Sequence, residues 1–484
     1  MKLLKVYISA FCMCSLSVLL NSCDDFLKEE PLDMKSSDQF WKTKADAESG
    51  VNALYFGGVP YLHNTDVGGG WTPKATMWGG IVSGLYVDKR KDRTFTTASE
   101  GCNFNIESFD DIAMKYWHEF YKGISRANFV IANIPTMTGV LDEATINNYV
   151  AQGKFFRAYG YFWLVKEFGG VPYISEPYTS TEGMYKERLS AEEVYKKIEA
   201  DLLDIVNGDA LPNKTFYDNG CYVTRAMAQT LLAQVYLQWA GAPLNGGTDY
   251  YGKAAQMALK VINDSPHELI HPNGTTDDLS SAYNVIKTTK SSAEIIYAKE
   301  YNYSDYSVGN SYACRSIGTD AFQWGVFHPG GDVLYNAYLP CDMLLNSYAS
   351  NDIRGHEKQF FFKQYTDAEG NTHTLNNAGN WAWFDENALI SGHDGDYNMP
   401  VFRFAEVLLI AAEDNAVGGA KYYLNQVRKR AGLADETATG NDLIQSILTE
   451  RLHELPLEFK IWDDIRRTRL YPEASTESGK LKWT

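Results

Sequence analysis

Helical periodicity with abrupt stops constrains this chain more than any other feature. Residues 147–168 read as one helix, closed by Gly169-Gly170 with Pro172 just behind, the residues that end helices. The same reading gives helices over 39–55, 112–134, 191–206, 224–239, 251–263, 403–416, 419–431 and 442–455. Apolar positions recur at helical spacing, as Phe40, Ala47, Val51 and Leu54 do, and as Trp117, Phe120, Tyr121, Ile124, Ala127 and Ile131 do. Ala226, Ala228, Ala233 and Ala240 stand where facing helices would touch. The pattern predicts a mostly-α fold of antiparallel helix pairs stacked in the tetratricopeptide manner. No strict repeat period is visible, so such units are degenerate.

Three long, irregular, loop-rich insertions interrupt the helices and are expected to form a ligand face. The stretch 57–105 contains Gly68-Gly69-Gly70-Trp71 and Trp78-Gly79-Gly80. The stretch 301–348 contains Tyr312, Trp324, Phe327 and Tyr335, and 370–400 contains Trp381, Trp383, Phe384 and Tyr397. Loops of this length in a compact protein are usually functional. No low-complexity linker separates them, so residues 23–484 are expected to form one unit, with parts 23–220 and 221–484 interleaved.

A sugar ring has an apolar face of C–H groups and a polar rim, so a flat aromatic covers the face while amides and carboxylates bond the rim. Trp71, Trp78, Tyr312, Trp324, Trp381 and Trp383 have that setting, with Asn310, Asp320 and Asn380 nearby in sequence. These nine residues are the ligand-binding candidates. Each ring taken separately also has a core reading, because large rings dominate buried area.

The chain opens with Lys2 and Lys5, an apolar run from Val6 to Leu20, and then Asn21-Ser22-Cys23. That is the layout of a secretory signal peptide over residues 1–22, and the apolar run is shorter than the ~20 residues a membrane span needs. Cys23 is the expected lipidation site, leaving a mature chain anchored through acyl groups and exported. Asp24, Asp25, Glu29 and Glu30 read as a short acidic tether. Lys plus Arg is 44 against 61 for Asp plus Glu, a net charge of −17. A nucleic-acid partner is therefore not expected, since it depends on a basic face. Beyond the signal and Cys23 the cysteines are Cys102, Cys221, Cys314 and Cys341, without a CxxC pair, which disfavours zinc and leaves disulfides and free thiols both open.

The charged motifs have a catalytic reading and a structural one. Glu450, Glu454 and Glu458 stand at i, i+4 and i+8 with Arg451, Arg466 and Arg467 nearby, and paired carboxylates can run glycoside hydrolysis. Intrahelical Glu/Arg spacing more often fixes helices together, and that is the expectation here, as for Arg157, Arg403 and Glu406. Gly68-Gly69-Gly70 lacks the Gly-Lys-Ser/Thr of a phosphate loop. His393-Asp394-Gly395-Asp396-Tyr397-Asn398 alternates oxygen ligands like the start of a calcium loop, but lacks its sixth-position Gly and twelfth-position Glu. A turn is the better reading; no cofactor is expected, with calcium the weak exception.

From Cys23 to about Leu470 the chain resembles the SusD/RagB family of outer-membrane nutrient-binding lipoproteins. The resemblance rests on Cys23-Asp24-Asp25-Phe26-Leu27 with Phe40-Trp41; on Trp117, Tyr121 and Arg126-Ala127-Asn128; and on Phe156-Arg157-Ala158-Tyr159 with Phe168-Gly169-Gly170-Val171-Pro172. It continues in Pro400-Val401-Phe402-Arg403-Phe404-Ala405-Glu406, Val427-Arg428-Lys429-Arg430-Ala431-Gly432, Glu450-Arg451 and Asp464-Ile465-Arg466-Arg467. It implies a tetratricopeptide-like helical fold, a cell-surface location at the outer membrane, and a non-enzymatic role. That role is to bind a nutrient glycan and deliver it to a SusC-like TonB-dependent transporter. A peptide-capturing member of the family and a surface glycosidase are the alternatives. Two departures stand out: Pro456 falls where members keep a helix former, and the chain ends at Trp483-Thr484, where members commonly continue into a closing segment.

Overall fold

The computed structural model describes residues 40–56, 58, 80–87, 111–178, 180, 183–271, 276–306, 308–313, 316–328, 338–414 and 419–484. The signal peptide, Cys23, Trp71, Trp78, Cys102, Cys314 and Tyr335 lie outside the described residues.

The fold is mostly helical. In chain order the helices are α1 (Lys44–Phe56), α2 (Asp111–Asn133), α3 (Glu143–Phe168), α4 (Ala191–Val206), α5 (Arg225–Ala240), α6 (Gly247–Asp264) and α7 (Ala282–Thr288). They continue with the short α8 (Tyr303–Tyr306), α9 (Asp342–Asn346) and α10 (Glu386–Ser391). The last four are α11 (Phe404–Ala412), α12 (Ala420–Arg430), α13 (Gly440–Glu454) and α14 (Ile461–Thr468). Each of α1 to α5 packs on the next, α1 also lies against α3, and α11 closes the stack against α6, α12 and α13. This is the helix-pair stacking that the alanine pattern predicts, and Ala226, Ala228, Ala233 and Ala240 are all buried.

Local chemistry explains the boundaries. The Asp142 side chain accepts the Thr145 amide at 2.8 Å, so α3 starts at Glu143, four residues before the predicted start. It ends at Gly169, whose φ of 69° is left-handed. Ser190 and Glu193 form a reciprocal capping box at the head of α4. The helix predicted from Arg403 begins instead at Phe404, because Met399–Arg403 is strand β6, paired antiparallel with β2 (Ile295–Lys299). α13 stops at Glu454, two residues before Pro456, and the chain turns through Phe459 at a φ of 62°.

That turn brings Glu458 back onto a buried ionic network. Arg354, Arg403 and Arg430 are each 1% exposed or less. Arg403 donates to Glu294 at 2.6 Å, to Glu454 at 3.0 Å and to Glu458 at 2.7 Å. Arg430 bonds Glu294 and, at 2.5 Å, Glu454. Arg354 reaches Glu450 at 2.5 Å, Glu454 at 3.2 Å and Asp352 at 2.8 Å. Burial alone would raise the Glu454 carboxyl, but Arg430, Arg403 and Arg354 together hold it below the ordinary value. At Glu450 and Glu458 burial prevails and the carboxyls shift upward. A neighbouring set joins Arg451 and Arg467 to Asp464 and Glu413, and Lys166 and Arg466 tie α3 to α14 through Asp463 and Glu167. The Glu/Arg pattern is structural, as its spacing suggests.

His453 sits in the same interior, stacked on Tyr348 at 4.3 Å. The Ser347 hydroxyl spends its proton on the Leu344 carbonyl, so in the 2.8 Å bond to His453 it is Nε2–H that donates. Burial, then the Arg354 charge, drives its pKa down to about 3.

Two outcomes follow from this interior. Arg403→Leu leaves Glu458 buried without its arginine and takes one arginine each from Glu294 and Glu454; it is expected to cost about 3–5 kcal/mol, read as a lower urea midpoint. His453 takes up its proton in the unfolded chain near pH 6.5 but in the folded chain only near 3. Stability is therefore expected to fall as pH drops from 7 toward 4, by on the order of a few kcal/mol, and His453→Gln should flatten that slope in urea titrations.

Candidate functional site

The aromatic loops converge on a small apolar cluster separate from the main core. It joins Ile317, Ala321, Phe327, Phe362, Tyr365 and Phe384, with Leu375 and Leu389 completing it. The scaffold is a β-hairpin of β4 (Phe361–Thr366) and β5 (Thr372–Asn380), whose second strand falls in the 370–400 stretch expected from sequence to be loop-rich. Its connection turns at Gly370, where φ is 87°, a conformation open to glycine. Beside the hairpin runs a 3-10 turn, Thr319–Trp324.

Trp324 caps this hairpin. Its ring stacks on His373 at 4.8 Å and lies parallel to Tyr365 at 5.9 Å. Tyr365 and His373 are cross-strand partners with ring centroids 6.4 Å apart. Rings that close together, both parallel to Trp324, lie side by side beneath one face of the indole. Among the described residues its remaining ring contact is the tilted Phe327 at 6.0 Å, and Trp324 is half-buried. The support is held from below. His373 Nε2 bonds Asp367 at 2.8 Å, and Asp367 also accepts the Asn371 amide at 2.7 Å. The His373 bond is the largest influence lowering the Asp367 carboxyl to about 2. Tyr365 bonds Glu386, and burial, then that bond, pushes its hydroxyl up.

The other candidates divide. Asp320 stands on the Trp324 turn and accepts the Asn376 amide at 2.7 Å, stapling the turn to β5. Trp381 is half-buried, donating from Nε1 to Asn284 at 2.7 Å. Phe384 stacks on it at 5.1 Å, and the Lys287 ammonium lies 4.1 Å from its ring centroid. Lys287 also approaches Tyr397 at 5.0 Å, and burial pushes its pKa down to about 7.

Tyr312, Trp383, Asn310 and Asn380 are buried, contrary to the expectation of a ligand face. Tyr312 lies against Trp383 at 4.9 Å and Phe459 at 5.7 Å, and Trp383 also meets Tyr338 at 5.1 Å. Asn310 donates to the Tyr397 carbonyl at 2.7 Å and accepts the Tyr312 amide at 2.9 Å. Asn380 donates to the Tyr338 carbonyl at 2.7 Å. These loops fold against one another, so the rings fill the seam and the amides satisfy backbone that would otherwise be buried unpaired. The calcium-like run is used in the same way: Asp396 accepts the Tyr303 amide at 2.6 Å, and Asn398 accepts the Tyr301 amide at 2.9 Å. Among the described residues no group of three His, Cys, Asp or Glu side chains could hold a metal ion. Cys221 and Cys341 are free thiols.

Sequence reasoning missed His373, Tyr365 and Lys287. The signal for the first two was present: aromatic and β-branched residues on either side of Asp367-Ala368-Glu369-Gly370-Asn371 are a hairpin signature.

Comparison with known proteins places this geometry. Residues 346–480 match the model of the SusD family, and residues 81–237 match a model described as starch-binding, associating with the outer membrane. SusD-like protein P2 of Formosa agariphila is 26% identical over 491 residues, covering 96% of this chain and 91% of its own. A SusD superfamily protein of Parabacteroides distasonis superposes with a TM-score of 0.78 at 25% identity, over 91% of each chain. Surface glycan-binding protein A of Bacteroides thetaiotaomicron, solved in complex with laminarihexaose, is similar in fold. Its TM-score is 0.66 at 22% identity, over 88% of this chain and 90% of that one.

Burial separates the roles of two tryptophans. Trp383→Ala is expected to lose about 3–5 kcal/mol of stability in urea titrations, whereas Trp324→Ala, on the rim, should lose less than half as much.

Proposed function

The chain belongs to the SusD/RagB family, and on that premise we propose that it is a non-enzymatic outer-membrane lipoprotein that captures a nutrient oligosaccharide for a SusC-like TonB-dependent transporter. Trp324 carries the reading. Its indole is braced on one face by Tyr365 and His373 and is half-buried at the edge of the loop cluster. A rigid, one-sided aromatic ring is what the apolar face of a sugar stacks on, and preorganisation lowers the ordering cost of binding. The laminarihexaose complex of the B. thetaiotaomicron protein supports a glycan as the ligand class. The outer-membrane description of the model matching residues 81–237 supports the location, with Cys23 as the anchor.

The carboxylates that invited a hydrolytic reading support the non-enzymatic one. Glu450, Glu454 and Glu458 are buried and held by buried arginines as ion pairs.

The test is calorimetry of the purified chain against a panel of defined oligosaccharides, with product analysis of each mixture. Saturable binding without cleavage is expected, and Trp324→Ala should weaken it at least tenfold, about 1.4 kcal/mol. Released products would favour a glycosidase. Failure of every glycan to bind a folded chain would count against the proposal and favour peptides.

A further inference from the structure

A second aromatic groove lies on the helical side of the molecule and shares no residue with the Trp324 cluster. Its cavity is about 350 Å³, within the ~300–1,000 Å³ typical of small-ligand sites. One wall is α2. Phe120, Ile124 and Ala127 turn inward and are buried, while Trp117 and Tyr121, one turn apart, are half-buried with rings 5.0 Å from each other. The facing wall is the segment that returns over α2 after α3 ends at Gly169.

This inner frame is fixed. Tyr121 donates to the Pro172 carbonyl at 2.7 Å, and Asn128 donates to the Ile174 carbonyl at 2.9 Å. Asn128 is itself held by Arg157 at 3.1 Å, and Arg157 is locked on Asp201 through two bonds of 2.8 and 2.7 Å. Trp117 is braced edge-on by Phe168 at 5.3 Å.

The outer lip is built differently. Tyr178 is 36% exposed, Met184 50% and Tyr185 101%. A tyrosine ring that touches nothing contributes no folding energy, and here it stands beside two other exposed apolar side chains at the mouth of a pocket. Contiguous exposed apolar surface of this kind marks a binding site. Glu176, Lys186 and Ser125 add exposed polar groups to the lining. The non-aromatic apolar lining is small: Ile124 is buried, Pro172 and Ile174 are half-buried, and Met184 is the one exposed member. The open surface is therefore mainly aromatic rings, edged by a carboxylate, an ammonium and a hydroxyl, which suits rings with apolar faces and hydroxyl rims better than the aliphatic side chains of a peptide.

We propose that the groove between α2 and residues 172–178 and 183–186 is a second oligosaccharide-binding site, with Trp117 and Tyr121 as the floor and Tyr178 and Tyr185 as the outer clamp. The inference rests on the glycan-binding reading above. It deepens that reading by giving one chain two independent holds on an extended polysaccharide, and two linked holds raise avidity through effective concentration.

The experiment is calorimetry of the full chain in detergent, with laminarihexaose, cellohexaose, xylohexaose and maltohexaose as probes, on wild type, Trp324→Ala, Tyr185→Ala and Trp117→Ala. Expected are two sites per chain for the probe that binds. Trp324→Ala should leave one site, and Tyr185→Ala in that background should abolish it. Tyr185 is fully exposed, so its variant keeps the fold, and Trp117→Ala provides an independent check at the floor. A single site that Trp324→Ala removes and Tyr185→Ala leaves unchanged overturns the second groove while the glycan reading stands. No binding by folded wild type overturns both. Loss of transporter co-purification in Tyr185→Ala, with the number of glycan sites unchanged, overturns the second site and makes the lip a protein contact.

Discussion

The rest of this structure depends on keeping three arginines inside it. Arg354, Arg403 and Arg430 are almost wholly removed from water, and such charges are tolerable only when each is matched by carboxylates at bonding distance. Their partners come from distant parts of the chain: Glu294 before β2, Asp352 after α9, Glu450 and Glu454 on α13, and Glu458 beyond the break at Pro456. Satisfying Arg403 and Arg430 on the shared carboxylate of Glu454 therefore fixes the relative placement of β6, α12 and α13 together. The loop cluster inherits that rigidity, because Phe459, one residue after Glu458, forms part of the surface on which Tyr312 and Trp383 pack.

Around that centre the molecule divides its aromatic residues between two tasks. Tyr312, Tyr338 and Trp383 weld the irregular segments to the helical stack and are buried. Trp324 and, on the helical side, Trp117 keep part of their surface at the boundary while other rings brace them. The difference lies in what backs the ring. A ring enclosed by two loops that close on each other is a seam, and a ring braced from one side is a surface.

Sequence made the first kind of information legible and the second only in part. Helices 191–206 and 420–430 lie within a residue of where periodicity and capping place them, because those signals are local. The Glu450, Glu454 and Glu458 spacing pointed to ion pairing, although Glu294, which shares Arg403 and Arg430 with Glu454, carries no local mark. Strand β5 falls in the loop-rich stretch 370–400, and its pairing with β4 is set across the Gly370 turn rather than by any helical period. Which tryptophans face water was not legible at all. Trp381 and Trp383 differ by two positions in a short turn, and the neighbours that bury Trp383, Tyr312 and Phe459, are far away in sequence.

The long reach of the ionic network also sets an order in time. A chain interrupted before Glu450 holds Arg354, Arg403 and Arg430 with no acidic partner beyond Asp352 and Glu294. Burying three guanidinium groups on two carboxylates is unfavourable, so this part of the protein gains nothing by collapsing early. The interior around β6, α12 and α13 closes when its last helices have been made. Until Glu450, Glu454 and Glu458 are present, that part of the chain lacks the carboxylates that could hold it shut.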